Sequence, residues 1–373
     1  MKKILHIPNY YNPHVGGIEQ TCEDIVNSLK GKFEQKVICF KDEKKTCVDI
    51  VNDIEVTRVG CEGKIASQSI ALDYKKQLNK MFREYNPDIV IFHYPNPFVG
   101  HYLLPLLKKN KQIKFILYWH LDITKQKILE KFFEGQNKEL LKRANRIVST
   151  SEIYAKNSKW LPKYMDKISI IPSCVSIRNV DKTALDEKIK DILKENEGKK
   201  IVFAFGRHVK HKGFNYLIDA AKMLPDYNFV LGGSGKLTNE LMQNASNVFN
   251  FKFVGKLSDL DLEAYFNASD LFAFPSLTKA EAFGLALAEA EMHGLPSVTF
   301  TIPGSGVNFV SVDKLTGLEA PNGDSNALTK NIDILLKNDN LRKEYGENAK
   351  KRSLELFSFE AFKKSINELL ENI

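Results

Sequence analysis

The chain has 373 residues, 43% hydrophobic and 27% charged, with a net charge of +8; this describes an ordinary soluble globular protein with room for two domains. No apolar run approaches the roughly 18 residues of a membrane-spanning helix, and Met1-Lys-Lys-Ile-Leu-His-Ile-Pro8 is too soon interrupted for a signal peptide. The five cysteines, Cys22, Cys39, Cys47, Cys61 and Cys174, are odd in number and lack CxxC spacing, which argues for reduced thiols in a cytoplasmic protein and against a zinc site.

The charge is uneven. Residues 1–180 hold 30 Lys+Arg against 19 Asp+Glu, and 181–373 hold 24 against 27, so the excess lies in the first half. A basic first half suits an anionic surface or ligand, although a solvated lysine-rich face explains it equally well. No nucleic-acid recognition motif accompanies it, so anionic lipid headgroups or a lipid pyrophosphate are the better partner.

In chain order, Lys3–Ile7 is an apolar strand, Pro8–Gly17 a loop ending in Gly16-Gly17, and Ile18–Leu29 has apolar residues at helical spacing. Strand, glycine loop and helix open a doubly wound sheet, whose ligands gather at the carboxyl ends of the strands. Gly17 lets the backbone approach a ligand, though a Gly-Gly pair also serves a simple turn. Strands are predicted near 36–40, 54–59, 88–93, 113–119 and 146–150, with helical stretches between several of them, an alternation that argues for a mainly parallel sheet. Two of them end in polar groups, His93 and His120-Leu-Asp122, with Lys125 and Lys127 following; His93, Asp122 and Lys127 are candidate acceptor-binding residues. Ile168–Val175 reads as the last strand of this domain, and the charged stretch 181–200 as the linker.

A second sheet begins at Lys200. Arg207 follows Gly206, and Lys212-Gly213 precedes a helix over Phe214–Met223. Two cations five residues apart in a strand-to-helix loop can clamp a diphosphate, Arg as a fork and Lys as a point charge. Strands near 227–231, 248–253, 268–274 and 298–301 and helices over Leu260–Asn267 and Asn326–Lys337 continue the pattern, and Thr301–Gly306 reads as a flexible exit loop. The richest stretch is Phe274–Pro296, with a helix predicted from Phe283-Gly284 to His293-Gly294. Glu281 and Glu289, eight positions apart, differ by about 80° around a helix and can look into one cleft. The amides of Phe283, Gly284 and Leu285 stand at the positive end of the helix dipole, and Gly284 has no Cβ to obstruct an anion.

The string Glu281-Ala-Phe-Gly-Leu-Ala-Leu-Ala-Glu289, after Phe-Pro-Ser and before His-Gly-Leu-Pro, resembles the signature of the retaining family 4 glycosyltransferases of group 1. The resemblance implies an α/β protein of GT-B fold, two Rossmann-like doubly wound domains facing across a cleft. The division expected is 1–180 for the acceptor side, 181–355 for the nucleotide sugar, and a helix over 356–373 crossing back to the first domain. By resemblance Arg207, Lys212, Gly17 and the 283–285 amides hold the donor diphosphate. Glu289 binds the ribose, while Glu281 and His120 orient the transferred sugar as the catalytic pair. The partners implied are a nucleoside diphosphate sugar (UDP or GDP) and a glycan or lipid-linked acceptor in bacterial surface polysaccharide assembly. The protein is placed in the cytoplasm, or peripherally on the inner face of the membrane. No D-x-D pair stands where a metal-dependent transferase would chelate the diphosphate, so no metal and no cofactor are expected. A same-fold epimerase or phosphorylase, or a non-catalytic sugar-nucleotide-binding module, are the rival readings.

Overall fold

The computed structural model describes residues 1–14, 16–65, 68–123 and 133–373. Lys125 and Lys127, with the start of the helix expected from Ile128, lie outside the described residues. The chain divides into two compact units, residues 1–173 with 362–373, and residues 174–361.

The first unit is built on an eight-stranded sheet. In chain order its strands are β1 (Lys3–Ile7), β2 (Glu34–Lys41), β3 (Cys47–Val51), β4 (Ile54–Gly60), β7 (Ile89–Tyr94), β8 (Lys114–Trp119), β9 (Arg146–Ser149) and β10 (Ile168–Ile170); a small ribbon pairs β5 (Gly63–Ile65) with β6 (Gln68–Ile70). The spatial order is β10-β9-β8-β7-β1-β2-β4-β3. Every pairing is parallel except β3 with β4, which form an antiparallel edge. The expected β-α alternation holds because Ile4, Leu5, Ile89 to Phe92 and Phe115 to Trp119 are buried, as both-face-covered parallel strands require. The edge strand β3 was not read from the sequence: its Val48 and Ile50 are exposed, so it carries no continuous apolar run. The strand expected over 168–175 stops at Ile170, ahead of Pro172, which has no N–H to offer a ladder.

The second unit carries six parallel strands, β11 (Ile201–Phe205), β12 (Asn228–Gly232), β13 (Phe251–Gly255), β14 (Leu271–Phe274), β15 (Ser297–Phe300) and β16 (Gly317–Ala320), in the order β13-β12-β11-β14-β15-β16. The order reverses at β11, so the loops after β11 and β14 leave from the switch point of the sheet, where doubly wound folds bind ligands. The stretch read as a linker is instead a helix, Lys182–Glu195, capped by Asp181 accepting from the Ala184 N–H at 2.8 Å. Its Leu185, Ile189 and Ile192 lie on one stripe against the core of the second unit, beneath a charged surface. A further helix over Asp339–Leu356 has no counterpart in the sequence reading.

The last helix, Phe359–Glu371, has its final residues in the first unit. Asn367 accepts from Lys32 at 2.7 Å and the Asn372 carbonyl from Arg146 at 3.4 Å.

Candidate active site

Three loops of the second unit are tied together at the carboxyl edge of its sheet. The β11 loop is held to the β12 loop by the His208 N–H donating to the Ser234 carbonyl at 3.0 Å, and to the β14 loop by the Leu277 N–H donating to the His211 carbonyl at 2.8 Å. The 301–306 segment, expected to be a flexible exit, is a scaffold. The Gly306 N–H donates to the Ala282 carbonyl at 3.0 Å, and the Ser305 hydroxyl donates to the Glu281 carbonyl. A Cβ on Gly306 would lie 2.2 Å from that Ala282 oxygen, so only glycine lets the two backbones meet this closely.

Lys212, Glu281 and the start of the helix Leu285–Met292 gather around the Phe274 ring. The Lys212 ammonium lies 4.6 Å from the ring centroid and forms an ion pair with Glu281, both side chains being mostly buried. On the same ring, an ideal Gly284 Cβ would touch Cε1 and Cζ at 3.5 Å, so space is not what demands glycine there. Gly284 is required by its backbone: it caps the helix at φ 96°, a left-handed conformation that side chains resist. The Gly284 carbonyl accepts from Leu287 and Ala288, each at 3.0 Å. The amides of Phe283, Gly284 and Leu285 donate to no protein acceptor among the described residues. Arg207 follows Gly206, is exposed, and forms no ion pair among the described residues. The second unit thus offers one mostly buried and partnered cation and a helix start with three free N–H groups beside one aromatic ring, and one exposed cation in the loop that carries Lys212.

Glu289 sits one turn into the same helix in a charge network that sequence reasoning missed. Arg178 donates from Nη2 to Glu289 Oε1 at 2.6 Å and from Nη1 to Glu263 Oε1 at 3.3 Å, while its own backbone N–H reaches that Glu263 oxygen at 2.9 Å. Asp259 stands 3.3 Å from Arg178 Nε. His293, four residues beyond Glu289, closes the circuit: Nδ1 is 2.7 Å from the Glu289 carbonyl and Nε2 is 2.6 Å from Glu263 Oε2. Burial pushes the Glu289 carboxyl above its ordinary range, with Arg178 pulling the other way. Burial acts likewise on Glu263, but His293 and Arg178 outweigh it and hold that carboxyl below its ordinary range. Asp259 and Asp261 do form an Asp-x-Asp pair, but Asp261 is bonded to Ser258 and Lys188 at the head of the helix Asp259–Ala268.

The first unit's candidates form a cluster of another kind. Side chains two apart on a strand share a face, so Tyr118 and His120 lie on the side of the sheet where His93, paired in register with Tyr118, also points. The three rings stack, and His93 Nδ1 is 3.0 Å from His120 Nε2. Burial drives the His93 ring well below its ordinary pKa and takes His120 down to about 3, so both are neutral near pH 7. His93 has no exposed surface, whereas His120 keeps a small exposed fraction, so of the two only His120 can reach a ligand directly without rearrangement. The Asp122 carboxylate is occupied internally, accepting from the Trp119 indole N–H at 2.9 Å, the Ser158 hydroxyl at 2.8 Å and the Lys159 N–H at 2.9 Å. Its burial and full set of partners make it a brace for the loop after β8 rather than an open acceptor contact. Gly17 is the first residue of the helix Gly17–Ser28 and is exposed, and the Glu19 carboxylate folds back beside Gly16, within 2.2 Å of where a Cβ would stand. Nothing among the described residues carries positive charge to Gly17 from its own helix.

Two family descriptions match the chain: Glycosyltransferase Family 4 over residues 15–178 and Glycosyl transferases group 1 over residues 186–352. The O-antigen chain mannosyltransferase C of Escherichia coli is 29% identical over 362 residues, covering 95% of this chain and 94% of the relative. The D-rhamnosyltransferase WbpZ of Pseudomonas aeruginosa is 28% identical over 362 residues, covering 95% and 92%. Among solved structures, sucrose-phosphate synthase from Thermosynechococcus elongatus superposes with a TM-score of 0.79 at 19% identity, over 100% of this chain and 99% of that one. The architecture is that of the GT-B fold.

Proposed function

The chain belongs to the family 4 glycosyltransferases of group 1, hexosyltransferases that use nucleotide-sugar donors, and we propose that it is a retaining, metal-independent member acting in bacterial surface polysaccharide assembly. The observation that carries this reading is the grouping of Lys212, Glu281 and the three free amides around Phe274. When the bond from the anomeric carbon to the diphosphate breaks, negative charge grows on the departing phosphate oxygen. Donors already fixed in place stabilise that charge without reorganising, each contributing about 3–4 kcal/mol when well placed. Lys212 and the amides of Phe283, Gly284 and Leu285 are such donors, and Arg207 adds a second cation at the rim. In the ligand-free protein Glu281 neutralises Lys212. An arriving diphosphate takes over that cation, leaving the Glu281 carboxylate to accept hydrogen bonds from hydroxyls of the transferred sugar. With fixed cations in that role, a divalent metal has no task left at the diphosphate.

Glu289 is read as the ribose ligand, and UDP and GDP sugars are the donors to be compared. His120, neutral and buried at a strand end, is read as a hydrogen-bonding contact to the transferred sugar. The acceptor is read as a hydroxyl of a glycan or lipid-linked glycan. The exposed Leu72 beside Lys75, Lys76, Lys80 and Arg83 gives the first unit a basic surface for an anionic lipid.

Transfer from UDP- and GDP-sugars by the purified protein, with and without EDTA, is the direct test. Full activity in EDTA and loss of transfer in Glu281→Ala support the reading. Wild-type turnover in both Glu281→Ala and Arg207→Ala overturns the site, and activity restored only by added metal overturns metal independence.

A further inference from the structure

We propose that Arg178 is a positioning residue for donor recognition: it holds one oxygen of Glu289 and presents the other to the ribose diol. The proposal rests on the reading of Glu289 as the ribose ligand. Arg178 lies outside the signature stretch, in the segment leading from the first unit's last strand, 111 positions from Glu289. Its guanidinium and backbone N–H both reach the helix Asp259–Ala268, bonding Glu263 and facing Asp259, while Nη2 alone reaches Glu289. The fork is therefore fixed at one end by a fully buried carboxylate and aims its other end at Glu289.

The division of oxygens gives the arrangement its meaning. Glu289 Oε1 takes the 2.6 Å bond from Arg178, whereas Oε2 has no partner among the described residues, and the side chain keeps 18% of its surface exposed. His293 fixes the backbone end of the same residue through the Glu289 carbonyl and is itself tied to Glu263. A carboxylate free to rotate accepts a diol poorly, because each binding event must first order it. Here the rotamer is set before the nucleotide arrives, and one oxygen remains open to ribose hydroxyls.

The experiment is calorimetric titration of the full-length chain with UDP, GDP and their 2′-deoxy counterparts, for wild type, Arg178→Ala, Arg178→Lys and Glu289→Gln. In wild type the preferred ribonucleotide binds more tightly than its 2′-deoxy form. Arg178→Ala weakens the ribonucleotide about tenfold and the 2′-deoxy form clearly less, since the deoxy form has only its 3′-hydroxyl contact left to lose. Arg178→Lys recovers part of the preference. With a nucleotide-sugar donor, KM rises while kcat at saturation stays within about threefold, because ribose contacts are made in ground and transition state alike. Equal weakening of both nucleotide forms, or no weakening, overturns the proposal. Should Arg178→Ala not fold, Arg178→Lys decides by the same comparison: a clearly larger loss for the ribonucleotide supports the proposal, and equal losses reject it. If wild type binds both forms equally and Glu289→Gln costs nothing, the ribose reading itself has failed, a result distinct from failure of the Arg178 role.

Discussion

The two sheets have similar parallel wiring, yet their carboxyl edges end in opposite chemistries. The second unit gathers basic and acidic side chains there in ion pairs: Lys212 against Glu281, and Arg178 among Glu289, Glu263 and Asp259. The first unit gathers neutral rings, with His93, Tyr118 and His120 stacked and both imidazoles depressed by burial. The second arrangement suits a leaving group that carries charge. The first suits hydroxyls, which need direction rather than neutralisation.

The largest test of this contrast is acid. His6 and His120, both buried, are held down to about 4 and about 3. An unfolded chain protonates them near 6.5, so between that value and their folded values the unfolded state binds more protons. Stability is therefore present above about pH 6.5 and is lost as pH falls. At pH 5 the deficit is about 1.5 units per ring, or about 2 kcal/mol each. Glu291, buried and raised well above its ordinary pKa, runs the other way, costing stability as pH rises and regaining it on acidification. Amide exchange followed from pH 7 to pH 5 should show the first unit losing protection before the second. Simultaneous loss in both, or loss in the second first, breaks the comparison.

Lys212→Ala comes next. It removes a mostly buried cation and leaves Glu281 as an unpaired carboxylate beside Phe274, at the place proposed for the diphosphate. Both changes oppose the leaving group, so kcat/KM should fall about 10²- to 10³-fold, or roughly 3–4 kcal/mol. His120→Ala sharpens the contrast: it should lower kcat while leaving nucleoside diphosphate affinity unchanged, whereas Lys212→Ala weakens both. Nucleotide titrations of the two variants make that comparison.

The signature around Glu281 was legible because its parts are local: a strand, a glycine that must be left-handed, and a helix whose first N–H groups are free by geometry. The mainly parallel β-α alternation was legible for the same reason, since apolar runs separated by helical periods need no distant information, whereas the strand order is set by long-range pairing. Arg178 was not legible, because an ion pair spanning 111 positions leaves no mark on spacing. The helix over Lys182–Glu195 was hidden by its charges, although Leu185, Ile189 and Ile192 at helical intervals after an Asp were a readable signal. The 301–306 segment looked flexible from Gly and Pro content alone, whereas its glycine is there so that two backbones can touch. Gly306→Ala should push the Ala282–Phe283 backbone away from the helix start, cost about 1–3 kcal/mol of stability, and lower transfer more than it lowers melting temperature.

Arg207→Ala is the smallest effect and the most discriminating one. Lys212 is partly buried and pre-paired, so its contribution resists salt. Arg207 is exposed and unpaired among the described residues, so on the proposed reading it would order a long side chain to meet the diphosphate while the solvent screens its charge. Its loss should cost about 1 kcal/mol, roughly a fivefold rise in donor KM, at low ionic strength. Raising salt to about 0.5 M should erase most of the difference between wild type and Arg207→Ala while leaving the Lys212→Ala defect intact. If Arg207→Ala instead matched Lys212→Ala and was equally indifferent to salt, the two cations would be a single buried clamp in the bound state. The division into an inner and a rim cation would then have to be given up.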